Sequence, residues 1–338
     1  MIKVGVAGLG MMGLTHLQVY ADRDDVQVVA VADLNPDRLS GKEVAAGNIE
    51  GQAQGKSGWS DAKQYADASE LIADPEVQLV DICLPTPAHL KMGLAAIRAG
   101  KHVMIEKPLA RTAAEAFQLA EAAEQAGVIA MPGMCMRFWP GWDWLKLAVD
   151  EQRYGKVLSA QFQRLASHPG GPFYSDGDAC GGALLDLHVH DTDFIQHCFG
   201  VPQRVFTQGY RKVSTEPDHV MSQYLYDDGP MVTAEGGWTM AEGFGFQMRF
   251  TVNFEQATAQ FDLGEDPTLR LVHNGRSESV DVAAGMGYDY ELTYLLNCIQ
   301  SQTKPTAVTL REAAVSVAIV EAERKSLSLG QPVEVTLP

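Results

Sequence analysis

The chain has few cysteines, fewer cations than anions and no long apolar run. Its five cysteines are scattered without a CxxC pair, which disfavours both a zinc ribbon and a disulfide framework. The formal net charge of −17 argues against nucleic-acid and anionic-membrane partners, because both require clustered Lys and Arg. No segment approaches the roughly 18 apolar residues that a membrane-spanning helix requires. Together with the lack of a basic and apolar leader, these absences favour a cytoplasmic protein.

A glycine-rich turn, GLGMMG, lies between the first apolar run and the first helical run. Gly8 allows a tight strand-to-helix turn, Gly10 allows a pyrophosphate to approach the backbone, and Gly13 allows helix and strand to pack closely. The phosphates would bind free N–H groups at the helix N-terminus, which Met11 and Met12 open. The pattern predicts a dinucleotide-binding domain of the Rossmann type.

Asp33, at the end of the second apolar run, indicates which dinucleotide binds. Its carboxylate is placed to accept hydrogen bonds from the 2′-hydroxyl of an adenosine ribose and would repel a 2′-phosphate. The next residues, Leu34, Asn35 and Pro36, offer no cation, whereas Arg38 could approach from the following helical turn. We therefore predict NAD as the cofactor, with NADP less favoured.

The 338 residues, 46 % of them hydrophobic, predict two domains, because single cores rarely grow beyond about 250–300 residues. Strand and helix signals alternate to about residue 130, as in a doubly wound parallel sheet. Beyond it, helical segments and alternating runs indicate an α+β domain with an open, mostly antiparallel sheet of about six strands. We predict an α/β Rossmann domain over 1–130 and a substrate-binding and oligomerisation domain over 131–338, with 42–58 a loop or frayed helix.

The segment 181–200 has helical spacing and carries several polar side chains. Asp186 and His190 are four residues apart and would share one helical face, whereas His188 would point almost oppositely. A metal site built from Asp186, His188, His190 and Asp193 is therefore disfavoured, and we predict no metal. A purely structural helix pair is the other reading of Asp186 and His190.

Four segments occur in the order seen in one enzyme family. They are GLGMMG, EKP at 106–108, GMCMRFWP, and GGALLDLHVHDTD. The chain resembles the Gfo/Idh/MocA oxidoreductases, which include inositol dehydrogenases and glucose–fructose oxidoreductase, over nearly its whole length. The resemblance implies hydride transfer between nicotinamide and a hydroxyl carbon of a sugar, inositol or related polyol. It places Lys107, Asp186 and His190 around the reacting hydroxyl.

The chemistry of these residues agrees with that implication. Oxidising an alcohol requires a base for the hydroxyl proton, and histidine titrates near the working pH. Asp186 could hold the tautomer of the His190 imidazole and raise its basicity. Lys107, at the carboxyl edge of the sheet, could stabilise a developing alkoxide, although an ordinary strand-end lysine is the alternative.

Further residues are predicted around the two ligands, and of these Thr86, His89 and Arg137 match family positions. Thr86, His89, Glu106 and Lys107 are predicted on the cofactor side, with a helix N-cap as the alternative for Thr86. The residues predicted to contact substrate are Arg137, His168, Asp193 and Tyr288. A salt bridge between domains is the alternative for Arg137.

Two other functions and an assembly complete the expectations. The chain could retain NAD and recycle it within each turnover, as some glycosidases resembling the family do, or it could be a non-catalytic dinucleotide-binding regulator. The second domain's open sheet needs its free face covered, and apolar residues are expected on more than one face. We therefore predict a homodimer or homotetramer formed through that sheet.

Overall fold

The computed structural model of the protein describes residues 1–42, 59 and 61–337, so 43–58 of the segment predicted as loop or frayed helix lie outside it. Two compact units make up the chain. The first combines Met1–Met134 with Tyr288–Ala314, and the second combines Cys135–Gly287 with Val315–Pro338. The predicted boundary near residue 130 lies close to the first crossing, whereas 288–314 belongs to the first unit.

A six-stranded parallel sheet forms the centre of the first unit, in the order β3-β2-β1-β4-β5-β6. Its strands are β1 (Ile2–Ala7), β2 (Val26–Ala32), β3 (Lys63–Tyr65), β4 (Leu79–Ile82), β5 (His102–Glu106) and β6 (Ala130–Gly133). The predicted doubly wound sheet is confirmed, and the three-residue β3 is an addition. Its sequence, KQY, is too short and polar to signal a buried strand.

Helices connect these strands. They are α1 (Met11–Ala21), α2 (Pro36–Leu39), α3 (Ala68–Ala73), α4 (His89–Arg98) and α5 (Ala113–Ala126). The start of α5 is fixed by a capping box, in which Thr112 and Glu115 each accept from the other's backbone N–H at 3.2 Å. Gly127 ends the helix in the left-handed conformation, which glycine adopts without a Cβ clash.

The second unit contains a nine-stranded mixed sheet in the order β14-β13-β12-β11-β7-β10-β9-β8-β15. Its strands are β7 (Val157–Ser167), β8 (Arg204–Tyr210), β9 (His219–Leu225), β10 (Met231–Met240), β11 (Phe246–Phe254), β12 (Ala257–Asp262), β13 (Leu269–His273), β14 (Arg276–Ser279) and β15 (Val333–Glu334). The central pair β7–β10 is parallel and the other pairs are antiparallel. The predicted mostly antiparallel sheet is confirmed, with nine strands in place of about six.

The remaining helices are α6 (Trp142–Asp150), α7 (Gly171–Ser175), α8 (Gly177–Cys180), α9 (Gly182–Asp186), α10 (Val189–Phe199), α11 (Gly287–Ser301) and α12 (Leu310–Leu329). Trp142 of α6 is fully buried and packs on Phe162 and Phe250 of the sheet. Phe194 of α10 meets the same indole edge-on, with ring centroids 4.8 Å apart. Aromatic packing therefore joins helices and sheet in this core.

The sheet face opposite to the aromatic core is mostly polar, whereas the sequence predicted apolar residues on more than one face. In β11, buried Met248, Phe250 and Val252 alternate with the polar residues Arg249 and Thr251. Met221 and Met231, 57 % and 76 % exposed, are apolar exceptions on neighbouring strands. Within the described residues, no helix has the length and apolar character needed to cross a membrane.

Candidate functional site

The glycine turn joins β1 closely to α1. Gly8 has φ +98°, and a Cβ there would overlap the carbonyl of Cys83. A Cβ on Gly13 would overlap the Gly8 carbonyl, whereas Gly10 faces open space with no atom within 4 Å. The first turn of α1, residues 11–14, has no acidic side chain. The helix N-terminus therefore presents N–H groups to an anion without local competition.

Asp33 is tied to this turn. Its carboxylate accepts from the backbone N–H of Leu9 at 2.8 Å and of Asn35 at 2.7 Å. Arg38 does approach, with its Nη1 3.9 Å from Asp33 Oδ2. The proposed ribose acceptor and the glycine turn thus form one hydrogen-bonded assembly.

His89, predicted on the cofactor side, is a buried residue of the first unit. It is 1 % exposed, and its ring nitrogens lie 2.7 Å from the Leu84 carbonyl and 2.9 Å from the Pro108 carbonyl. Burial lowers the pKa of His89. The ring therefore links the loops that follow β4 and β5. Thr86 is also buried. It begins the short helical turn Thr86–Ala88, whose N-cap is Pro85 and not Thr86.

The Glu106 carboxylate is buried in the first unit. Glu106 is 5 % exposed, its Oε2 accepts from the Lys107 backbone N–H at 3.0 Å, and its Oε1 lies 3.2 Å from His16 Nε2. Lys107 itself is partly exposed. Glu106 thus holds the Lys107 backbone, and its contact with the cofactor stays a prediction.

The predicted continuous helix over 181–200 is interrupted between Asp186 and His190. α9 ends at Asp186 and α10 begins at Val189. The His188 N–H bonds the Ala183 carbonyl five residues back at 2.8 Å, a π-type turn of the kind found often at functional sites. Asp186 and His190 are both partly exposed, and Nδ1 of His190 is buried.

His188 points into the protein. Its Nε2 lies 3.2 Å from Glu323 Oε1 and 3.1 Å from the Tyr224 hydroxyl. Burial lowers the pKa of His188, but the Glu323 carboxylate outweighs that effect and raises it. His188 therefore anchors the start of α10 in the core.

Two buried ion pairs hold α10, and one of them contains two predicted substrate residues. Arg137 donates to both carboxylate oxygens of Asp193 at 2.8 Å, and Ser316 donates to the same carboxylate. Arg164 of β7 binds Asp191 in the same bidentate manner at 3.0 Å. Arg137 and Asp193 thus have a structural pairing within the second unit in place of the predicted substrate contact. Arg164 and Asp191 gave no distinct signal in the sequence.

The loop that carries His168 is held by aromatic packing. His168 lies edge-on to Trp238, with ring centroids 5.6 Å apart, and accepts from the Gly170 N–H at 3.0 Å. The Trp238 indole donates to Asp218 at 2.9 Å. Asp218 also accepts three backbone N–H bonds from 212–214. Burial raises the pKa of Asp218, but these bonds outweigh it and lower the pKa.

Tyr288 is 8 % exposed and lies at the start of α11.

Among the described residues, groups of His, Cys and acidic side chains close enough to share an ion occur in the first unit and not around 186–193. They are His16 with Asp81 and Cys83, and His16 with Glu106 and Glu291.

Two family models match the chain. Residues 2–134 match the model of an oxidoreductase family with an NAD-binding Rossmann fold. Residues 142–260 match the GFO/IDH/MocA C-terminal domain.

Individual relatives are similar to the chain over different lengths. A myo-inositol 2-dehydrogenase of Thermotoga maritima is 32 % identical over 217 residues, which cover 64 % of this chain and 60 % of the relative. A trans-1,2-dihydrobenzene-1,2-diol dehydrogenase of Bos taurus is 27 % identical over 96 % of both chains. The solved structure of a levoglucosan dehydrogenase with NADH and levoglucosan has a TM-score of 0.84 at 20 % identity over 99 % of both chains, which shows a shared fold.

Proposed function

Because the chain belongs to the GFO/IDH/MocA oxidoreductase family with an NAD-binding Rossmann fold, we propose that it oxidises a hydroxyl carbon of a sugar, inositol or related polyol with NAD. The match of both domains to this family carries the proposal. The glycine turn and Asp33 fit the cofactor, because the turn offers open backbone at Gly10 and Asp33 offers a fixed carboxylate. NAD would supply the hydride acceptor.

We assign the proton chemistry to His190, with Asp186 supporting the imidazolium and Lys107 stabilising the developing alkoxide. Partial exposure of all three side chains supports this assignment. His168 and Tyr288 are retained as proposed substrate contacts. Arg137 and Asp193 are withdrawn because they pair with each other.

A substrate panel tests the function directly. The protein is incubated with NAD and a series of sugars and inositols, and NADH formation is measured. Formation of NADH with at least one member is expected. Release of a glycan leaving group without net NADH would identify the NAD-retaining glycosidase class, and NAD binding without turnover of any kind would identify a regulator.

The proton assignment predicts the effect of His190→Ala. The variant should lower kcat by roughly 10²–10⁴, the usual scale for loss of a general acid–base group, and leave the Kd for NADH nearly unchanged. His273→Ala, at a partly exposed position on β13, is the matched control and should retain wild-type kcat. Near-normal turnover of His190→Ala together with an inactive Lys107→Ala would make Lys107 the base.

Cofactor preference depends on Asp33. We expect the wild-type kcat/KM for NAD to exceed that for NADP, since the carboxylate repels a 2′-phosphate. Asp33→Ser keeps a hydrogen-bond acceptor for the turn, removes the charge, and should lower the NAD preference at least about tenfold, equivalent to about 1.4 kcal/mol. Arg38→Ala controls for the nearby cation. Comparable wild-type values for both cofactors would contradict the assignment.

We also propose a cytoplasmic location, which the five free cysteines support.

We further propose a homodimer or homotetramer formed through the second unit's sheet. The exposed Met221 and Met231 support the assembly, since apolar side chains gain by burial against a second copy. Light scattering at micromolar concentration should show the oligomer. Met221→Lys should weaken it, whereas Leu147→Lys, at an exposed position on α6, should not. A monomeric wild type would overturn the proposal.

A further inference from the structure

A buried cluster of polar side chains lies beneath the proposed cofactor surface of the first unit. It consists of residues from α1, β4, β5 and α11, with one residue just after β4: His16, Tyr20, Asp81, Cys83, Glu106 and Glu291. His16, Asp81 and Glu291 are 0 % exposed. Such a cluster requires each charge to be matched, because an unpaired buried charge is strongly destabilising.

His16 lies between two carboxylates. Its Nδ1 is 2.9 Å from Asp81 Oδ2 and its Nε2 is 3.2 Å from Glu106 Oε1. Burial lowers the pKa of His16, but Asp81 and Cys83 outweigh it and raise the pKa well above its usual value. Two flanking carboxylates favour the imidazolium, which has no lone pair for a metal. His16 thus balances one of the two negative charges.

Glu291 is the third carboxyl group of the cluster and has no donor. Among the described residues, neither of its carboxyl oxygens has a hydrogen-bond partner, and Glu106 Oε1 also has none. The polar atoms of His16, Glu106 and Glu291 lie within 4.8 Å of one another. An ionised Glu291 would therefore face a second carboxylate with no hydrogen bond to offset it. A protonated Glu291 carries its own donor.

We propose that Glu291 stays a neutral carboxylic acid in the folded protein and shares its proton with Glu106, acting as a positioning residue for Lys107. Burial first, and then the Glu106 charge, raise the pKa of Glu291 well above its usual value, in agreement with this state. The positioning of Lys107 rests on the proposed function, because the role of Lys107 is itself proposed. The protonation of Glu291 does not rest on it.

The link to Lys107 passes through a closely packed Glu106. The second oxygen of Glu106 accepts from the Lys107 N–H at 3.0 Å. On the other side, a Cβ on Gly133 of β6 would lie 3.0 Å from Glu106 Oε1. Glu106 is thus confined by β6, His16 and Glu291, and the Lys107 backbone is bonded to that confined group. Ionisation of Glu291 would push the Glu106 carboxylate away and disturb the bond.

Thermal unfolding as a function of pH tests the protonation of Glu291. A carboxyl group with a raised folded pKa contributes stability that is complete below its unfolded pKa, about 4.3 for glutamate, and is lost as pH rises towards the folded pKa. Glu291→Gln does not titrate. The ratio of its folding equilibrium constant to that of wild type should therefore rise by up to about tenfold per pH unit above pH 5.

Glu124→Gln is the matched control in the same unit. Arg311 binds Glu124 at 2.9 Å and lowers the pKa of Glu124, so this carboxylate is ionised throughout the range. The offset between Glu124→Gln and wild type should stay constant with pH. Should Glu291→Gln fail to fold, Glu106→Gln removes the charge that adds to the effect of burial and should weaken the same pH dependence, and an unchanged pH dependence would overturn the pairing of the two carboxyl groups.

Kinetics on a substrate from the panel tests the positioning role. We expect the wild-type kcat to decline at alkaline pH, whereas Glu291→Gln keeps an N–H donor for Glu106 and should retain kcat near neutral pH without that decline. Glu291→Leu has no donor and should lower kcat between about 10-fold and 100-fold through misplacement of Lys107. Equal kcat in Glu291→Leu and wild type would overturn the positioning role.

Two further outcomes would overturn the shared proton. One is a constant offset between Glu291→Gln and wild type across the pH range. The other is stabilisation of wild type by Zn²⁺ or Mn²⁺ that EDTA reverses and Glu291→Gln abolishes, which would identify a metal site. Lack of turnover with every panel substrate would defeat the proposed function and leave the unfolding measurement interpretable.

Discussion

The close approach of α1 to the sheet at Gly8 and Gly13 is the constraint on which the first unit depends. Side chains at these two positions would overlap backbone carbonyls, so only glycine allows the helix to start this near the strand ends. The approach shapes the open surface at Gly10. It also brings His16, on the first turns of the same helix, within 2.9 Å of Asp81 on β4. One packing contact therefore produces both an anion-binding helix end and a buried polar cluster beneath it.

Buried ion pairs constrain the second unit, as the glycine contact constrains the first. The helix α10 is held by the bidentate pairs of Asp191 and Asp193 with arginines from other segments. Buried pairs of this kind add little net stability relative to apolar packing, but removal of one partner leaves an uncompensated charge and is destabilising by about 3–5 kcal/mol. Slippage of α10 would separate both pairs at once. The pairs therefore restrict the position of the helix on which His190 stands.

Local signals in the sequence predicted most elements of the first unit. β1 is an apolar run with a glycine turn after it, and the Thr112–Glu115 box fixes the start of α5 through contacts three residues apart. The predicted continuous helix over 181–200 is wrong at Leu187, where the helix is interrupted. The next residue, His188, contacts Glu323, which is distant in the sequence, and no local pattern signals such a contact. Asp193 illustrates the same limit. Its residue type and helical position suit a substrate contact, whereas only the fold reveals Arg137 beside it.

The described structure repeats one arrangement around the residues proposed to react. Buried Glu106 precedes the partly exposed Lys107 and bonds its backbone. Buried His188 comes two residues before the partly exposed His190 and bonds Glu323 in the core. A reacting side chain has to meet substrate and cannot be fixed by burial of its own atoms. Burial and hydrogen bonding of a polar neighbour in the chain can fix its backbone instead. The buried polar residues near 106 and 188 thus follow from the need to hold exposed groups in place.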